Sequence, residues 1–142
     1  MKKHITLLLI VTLIAILLTA CGAKTAPAAP ANDNVDLSTL PVDLTVQQVA
    51  DIMNNPNVVL IDVREQSEYN AGHIPNITLI PLGTLPNRTN EIPKDKFVVM
   101  TCHSGNRSSQ ATNFLRQKGF TNVHNMLGGI AAWQQAGLPV EK

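Results

Sequence analysis

From about residue 40 onward, short continuous apolar runs alternate with stretches whose apolar positions return every three or four residues. Val58-Val59-Leu60-Ile61-Asp62-Val63 is continuous and β-branched, the pattern of a strand covered on both faces. Ile77 to Ile80, Phe97 to Thr101 and Val123 to Met126 are three more runs of strand length. Val46, Val49, Ala50 and Met53 recur at helical spacing behind Thr45, a good N-cap, and Asn54-Asn55-Pro56 stops that helix. Gln66 to Ala71 predicts a short helical turn, closed by Gly72-His73-Ile74-Pro75, and Leu82 to Arg88 predicts a broken helix interrupted by Pro86. Ser108 to Lys118 predicts an amphipathic helix, with Ala111, Phe114 and Leu115 on one side and Gly119 as C-cap. A last helix containing Ile130, Ala131, Ala132 and Trp133 follows Gly128-Gly129 and is closed by Gly137. No repeat is visible. Alternation at this spacing predicts an α/β fold, an open and mainly parallel sheet flanked by helices on both faces. Ligands of such sheets sit beyond the carboxyl ends of the strands, and Cys102 directly follows the third run.

The first twenty residues obey a different pattern. Lys2 and Lys3 precede an apolar stretch from Ile5 to Leu18, followed by the small residues Thr19 and Ala20, which is the order of a signal peptide. The stretch is shorter than the roughly 18 residues that a membrane-spanning helix needs. Leu18-Thr19-Ala20-Cys21 resembles the lipobox of bacterial lipoproteins, in which the cysteine is lipidated and becomes the new N-terminus. Each buried methylene of an acyl chain adds about 0.8 kcal/mol to membrane binding, so two or more chains hold a protein stably. Gly22 to Asp36 lacks apolar periodicity and carries Pro27 and Pro30, as a partly extended tether does. The expected organisation is a signal peptide over 1–20, a lipidated Cys21 with its tether over 21–39, and one domain over 40–142. The resulting protein is secreted and held by lipid at an extracytoplasmic or periplasmic membrane face. Gly22 in place of Asp is compatible with outer-membrane sorting in a two-membrane source.

Composition narrows the function. About 100 residues make one domain with a modest core. The 11 Lys plus Arg against 10 Asp plus Glu fall to 9 against 10 without Lys2 and Lys3, and no like-charged run is present. Nucleic-acid binding needs clustered cations or stacked aromatics, and the chain offers neither. Cys21 and Cys102 lie in such different contexts that a disulfide between them is not expected. A monomer is expected.

The chemistry concentrates in Cys102-His103-Ser104-Gly105-Asn106-Arg107-Ser108, between the third strand and its helix. Gly105 permits positive φ and the helix start leaves amides unpaired, so several N–H groups can converge into a cradle for an anion. A cysteine at its rim has a lowered pKa and reacts as the thiolate. Arg107 adds a fixed cation. His103 either tunes the thiolate or faces donor and solvent, and a buried inert cysteine is the bland alternative.

Ile61-Asp62-Val63-Arg64-Glu65, Glu68-Tyr69-Asn70-Ala71-Gly72-His73-Ile74-Pro75-Asn76 and Ile80-Pro81-Leu82 resemble the first block of rhodanese domains. Cys102 to Ser108 resembles their active-site loop, and Leu127-Gly128-Gly129-Ile130 with Trp133, Gly137 and Pro139 resembles their closing block. The resemblance runs from Val42 to Val140. It implies a five-stranded parallel sheet and a sulfurtransferase in which Cys102 is the nucleophile. Cys102 takes the sulfane sulfur of a donor such as thiosulfate as a persulfide and passes it to a thiophilic acceptor, cyanide or a thiol. His103, Ser104, Gly105, Asn106, Arg107 and Ser108 then form the substrate-binding loop. No metal or organic cofactor is implied. Asp62, Arg64, Glu68 and His73 are read as structural, with Arg64 and Glu68 as a helical i, i+4 pair.

Two other readings fit some of these residues. A cysteine-based phosphatase shares the thiolate, cradle and arginine, but places one residue more between Cys and Arg than the four found here. A non-catalytic binding module on the same fold would have no use for Cys102.

Overall fold

The computed structural model describes residues 35–142, so the expected signal peptide, Cys21 and most of the expected tether lie outside the described residues. Five strands, β1 (Asp43–Leu44), β2 (Val58–Asp62), β3 (Thr78–Leu79), β4 (Phe97–Thr101) and β5 (Val123–Met126), form one sheet. Its order is β1-β5-β4-β2-β3, and every neighbouring pair is parallel. Four α-helices connect them: α1 (Val46–Ile52), α2 (Gln66–Ala71), α3 (Asn106–Gln117) and α4 (Gly129–Gln135).

β4 lies at the centre with all five residues buried, as its unbroken apolar run requires of a strand covered on both faces. Side-chain alternation divides the core. Leu60 of β2, Phe97 and Val99 of β4 and Met126 of β5 pack with Val49, Ile52, Ile130 and Trp133 of α1 and α4. Ile61, Val98, Met100 and Val123 pack on the opposite face with Ala111 and Leu115 of α3. Cys102 continues the second set two residues beyond Met100. Its direction is therefore set by the pleat of β4.

Local chemistry explains the element ends. Thr45 Oγ1 accepts from the Gln48 amide at 3.2 Å while Gln48 Oε1 accepts from the Thr45 amide at 2.9 Å, a reciprocal cap that starts α1. Within the broken helix expected over Leu82 to Arg88 only the 3₁₀ turn Leu85–Asn87 forms, because Pro86 cannot donate within a longer helix, and a second 3₁₀ turn, Thr89–Glu91, follows it. α3 starts at Asn106, two residues before the expected Ser108, since Gly105 at φ 94° already turns the chain into the helix. Residues 35–40, assigned by pattern mostly to the tether, pack against the domain: Asp36 caps the 3₁₀ turn Leu37–Thr39, and Val35, Leu37 and Leu40 lie on the core. β1 carries only two residues, too few for a period to register, yet Leu44 is fully buried.

The start of α4 presses against the chain leaving β4. The Ile130 amide donates to the Cys102 carbonyl at 2.8 Å, and the Ala131 amide to the His103 carbonyl at 3.0 Å. So close an approach leaves no room for a side chain at Gly129, where a Cβ would fall 2.4 Å from the Cys102 carbonyl oxygen and 2.6 Å from the His103 carbonyl. Its φ of 56° is in the left-handed region as well. Gly129→Ala is expected to lower the thermal midpoint by several degrees, whereas Gly83→Ala, with nothing within 4 Å of its added carbon, leaves it within a degree or two. Equal midpoints for the two variants in a melt followed by circular dichroism would remove the close contact as a constraint.

Candidate active site

Cys102 leaves β4 on the face covered by α3, so its sulfur meets the first turn of that helix. The residue is only 1% exposed. Sγ accepts from the Gly105 amide at 3.1 Å and lies 3.5 Å from the Ser108 hydroxyl. The Ser104 and Ser108 amides also act on it. The loop is thus a bowl of N–H groups closed around one sulfur atom, as the sequence reading expected of an anion cradle.

The bowl is built from peptide geometry. A trans peptide points its C=O and its N–H in opposite directions, and no cis bond occurs among the described residues. α4 draws the Cys102 and His103 carbonyls to its side. The His103 and Ser104 amides therefore face away from α4, and the Ser104 amide reaches the sulfur side. Gly105 then reverses the chain at positive φ, which aims its own amide at Sγ. Ser108 is the third residue of α3, where helical amides have no partner inside the helix. Its N–H is free for the sulfur.

These donors decide the charge of the thiol. Burial pushes the Cys102 thiol up. The Ser108 hydroxyl, then the Ser108, Ser104 and Gly105 amides, push it down, and together they prevail, so the thiol lies below its ordinary value. The start of α3 adds the positive end of a helix dipole.

The loop side chains divide into two groups. Gly105 and Ser108 are buried inside the bowl. His103, Ser104 and Asn106 are exposed to solvent, of the three only Ser104 acts on the sulfur, through its amide, and no hydrogen bond links the His103 ring to Sγ. Arg107 is the surprise. Its guanidinium forks onto Glu68, Nη1 to Oε2 at 2.7 Å and Nη2 to Oε1 at 2.7 Å, with both side chains 32% exposed. That hydrogen-bonded pair holds the Glu68 carboxyl down at about 2 and raises Arg107 above its usual value.

The Arg64 and Glu68 side chains do not form the expected helical pair. Arg64 lies before the first residue of α2, and its guanidinium turns back onto Asp62, with Nε 2.8 Å and Nη2 2.7 Å from Oδ2. The remaining donors reach the Glu68 carbonyl at 3.2 Å and the Gly72 carbonyl at 2.8 Å, so this buried pair is fully hydrogen-bonded. His73 is tied in the same structural way. Its ring stacks on Tyr69 with centroids 3.8 Å apart, Nδ1 lies 3.1 Å from the Tyr69 carbonyl, and its backbone bridges to Glu141. Gly128 and Gly129 were legible only as turn residues. Their part in shaping the bowl depends on a contact between segments more than twenty residues apart.

The Ser108 hydroxyl is the first of the groups that lower the thiol. Ser108→Ala is expected to move the alkylation-rate profile of Cys102 to higher pH, since only the thiolate reacts and the variant ionises later. An unmoved midpoint with iodoacetamide would show that the hydroxyl serves only the Gly105 carbonyl, 3.1 Å from it.

Residues 45–136, from the cap of α1 to the residue after α4, match the family model described as Rhodanese-like domain. Over 94 residues the chain is 44% identical to a sulfurtransferase of Allochromatium vinosum, covering 66% of this chain and 85% of that protein. It is 33% identical over 91 residues to the thiosulfate sulfurtransferase GlpE of Tolumonas auensis, covering 64% of this chain and 86% of the relative. Among solved structures it is similar to a rhodanese-related protein from Thermoplasma volcanium, with a TM-score of 0.65 and 32% identity over 71% of this chain and 98% of that one. The matched span holds β2, the Cys102 loop and the Gly128-Gly129 turn together, and the chain belongs to the rhodanese-like family.

Proposed function

We propose that this protein is a sulfurtransferase in which the Cys102 thiolate takes a sulfane sulfur from a donor such as thiosulfate and delivers it to a thiol or cyanide. The observation that carries the reading is the set of donors converging on Sγ, which holds the thiol below its ordinary value. Cys102 attacks the outer sulfur of thiosulfate, a new S–S bond forms, the old one breaks, and sulfite leaves with the bonding pair. The terminal sulfur of the persulfide then occupies the bowl, where the Ser104, Gly105 and Ser108 amides stabilise its negative charge. A thiophilic acceptor removes that sulfur and regenerates the thiolate. The short loop between Cys102 and Arg107 suits one sulfur atom better than a tetrahedral phosphate, which disfavours phosphatase chemistry.

Incubation of the protein with thiosulfate is expected to add about 32 Da, one sulfur, to Cys102. Cyanide should remove the added mass as thiocyanate, Cys102→Ser should show neither event, and aryl phosphates should remain uncleaved. A wild-type protein that gains no mass from either thiosulfate or a persulfide would favour a binding module on this fold.

We also propose that the domain stands at an extracytoplasmic membrane face, held by lipid on Cys21, a reading supported by Leu18-Thr19-Ala20-Cys21 behind an apolar stretch. Cys21→Ser in the full chain is expected to carry no acyl mass and to retain the mass of the uncleaved leader. Retention in the membrane with an acyl-free wild-type mass would overturn the anchor.

A further inference from the structure

We propose that Glu68 is a specificity-determining residue: by holding Arg107 in a two-pronged ion pair, it withholds the loop's fixed cation and steers the site from dianionic thiosulfate toward persulfide donors. This deepens the sulfur-transfer reading and rests on it.

The charges around the bowl cancel in pairs. Arg64 is bound to Asp62 at 2.7 Å and Arg107 to Glu68 at 2.7 Å, two cations against two carboxylates. Ser104, Asn106 and Ser108 add no charge, and His103 faces solvent. With Cys102 ionised, the site carries one net negative charge before any donor arrives. The amides that face Sγ are dipoles already turned to that charge. Thiosulfate adds two more negative charges to a half-enclosed place, where repulsion is poorly screened. A small persulfide adds at most one at its reacting end.

The segment beside the loop supplies a second, independent observation. Leu127 is a large apolar residue left 47% exposed, and its backbone carbonyl carbon lies 3.7 Å from where a Cβ on Gly105 would stand, which puts it on the segment beside the loop. An exposed apolar residue next to the loop has nothing to bind on thiosulfate, whose far end is a hydrated sulfonate. It does suit the organic part of a persulfide. The step balances without a further reactant: Cys102–S⁻ plus R–S–SH gives Cys102–S–SH plus R–S⁻. One S–S bond forms, one breaks, and the departing thiolate carries away the electron pair.

The test compares thiosulfate with cysteine persulfide as donors at pH 8. It reads the ratio of their kcat/KM values for formation of the Cys102 adduct. Glu68→Gln frees Arg107 and is expected to raise the thiosulfate-to-persulfide ratio about five-fold, the scale of one extra unit charge near a partly exposed site. Arg107→Gln leaves Glu68 uncompensated and should lower the ratio by a similar factor, while the double variant Glu68→Gln/Arg107→Gln should return it near wild type. High salt should shrink both single-variant effects. A merely structural pair predicts something else: both single variants slow the two donors alike and the ratio stays put, which overturns the proposal. If either single variant melts below the assay temperature, Glu68→Asp replaces it, since the shorter carboxylate loosens the fork and should raise the ratio to a smaller degree. Loss of all adduct formation in the wild type would instead strike at the sulfur-transfer reading, so the two failures are distinct.

Discussion

Two hydrogen bonds from the start of α4 to the Cys102 and His103 carbonyls organise the site. They hold both carbonyls to one side, and planar peptides then have no choice but to present the following N–H groups to the other. The bowl around Sγ is thus a by-product of how a neighbouring helix is seated. That seating depends in turn on Gly129, whose missing side chain lets the helix come within van der Waals limits of the loop. No side chain of the loop except Ser108 needs to contribute a polar group. The surface residues His103, Ser104 and Asn106 are therefore free to shape what approaches without unsettling the thiolate.

The fold was largely visible in the pattern of apolar residues because the sheet is parallel and buried. Val58 to Asp62 and Phe97 to Thr101 need apolar side chains on both faces, and such runs stand out from their surroundings. Cys102 was legible for the same reason, since it ends the clearest run and precedes a glycine and a helix. β1 escaped because two residues, Asp43 and Leu44, have no period, and the strand exists only by pairing with β5. The early start of the packed domain at Val35 escaped because isolated apolar residues among polar ones read as linker until a core is there to receive them.

The partner of Arg107 illustrates a deeper limit. Arg64 and Glu68 have the spacing of a helical ion pair, and spacing is what a sequence displays. The chain is not yet helical at Arg64, and buried Asp62 beside it has a stronger need of a cation than half-exposed Glu68. Glu68 is then left for Arg107, thirty-nine residues away. Charge pairing across a fold follows from which carboxylate is desolvated most, and that quantity appears only once the chain is packed.

The division of the core by the pleat of β4 carries an evolutionary consequence. Val98, Met100 and Cys102 share one side of the sheet, Phe97 and Val99 the other. Inserting or deleting one residue anywhere in this strand would swing the sulfur to the face occupied by α1 and α4, where no first turn of a helix awaits it. Substitution along β4 is an open route for drift, and a change of length is a closed one. In descendants of this chain, the distance from the start of β4 to the nucleophile should therefore stay constant while the identities in between vary.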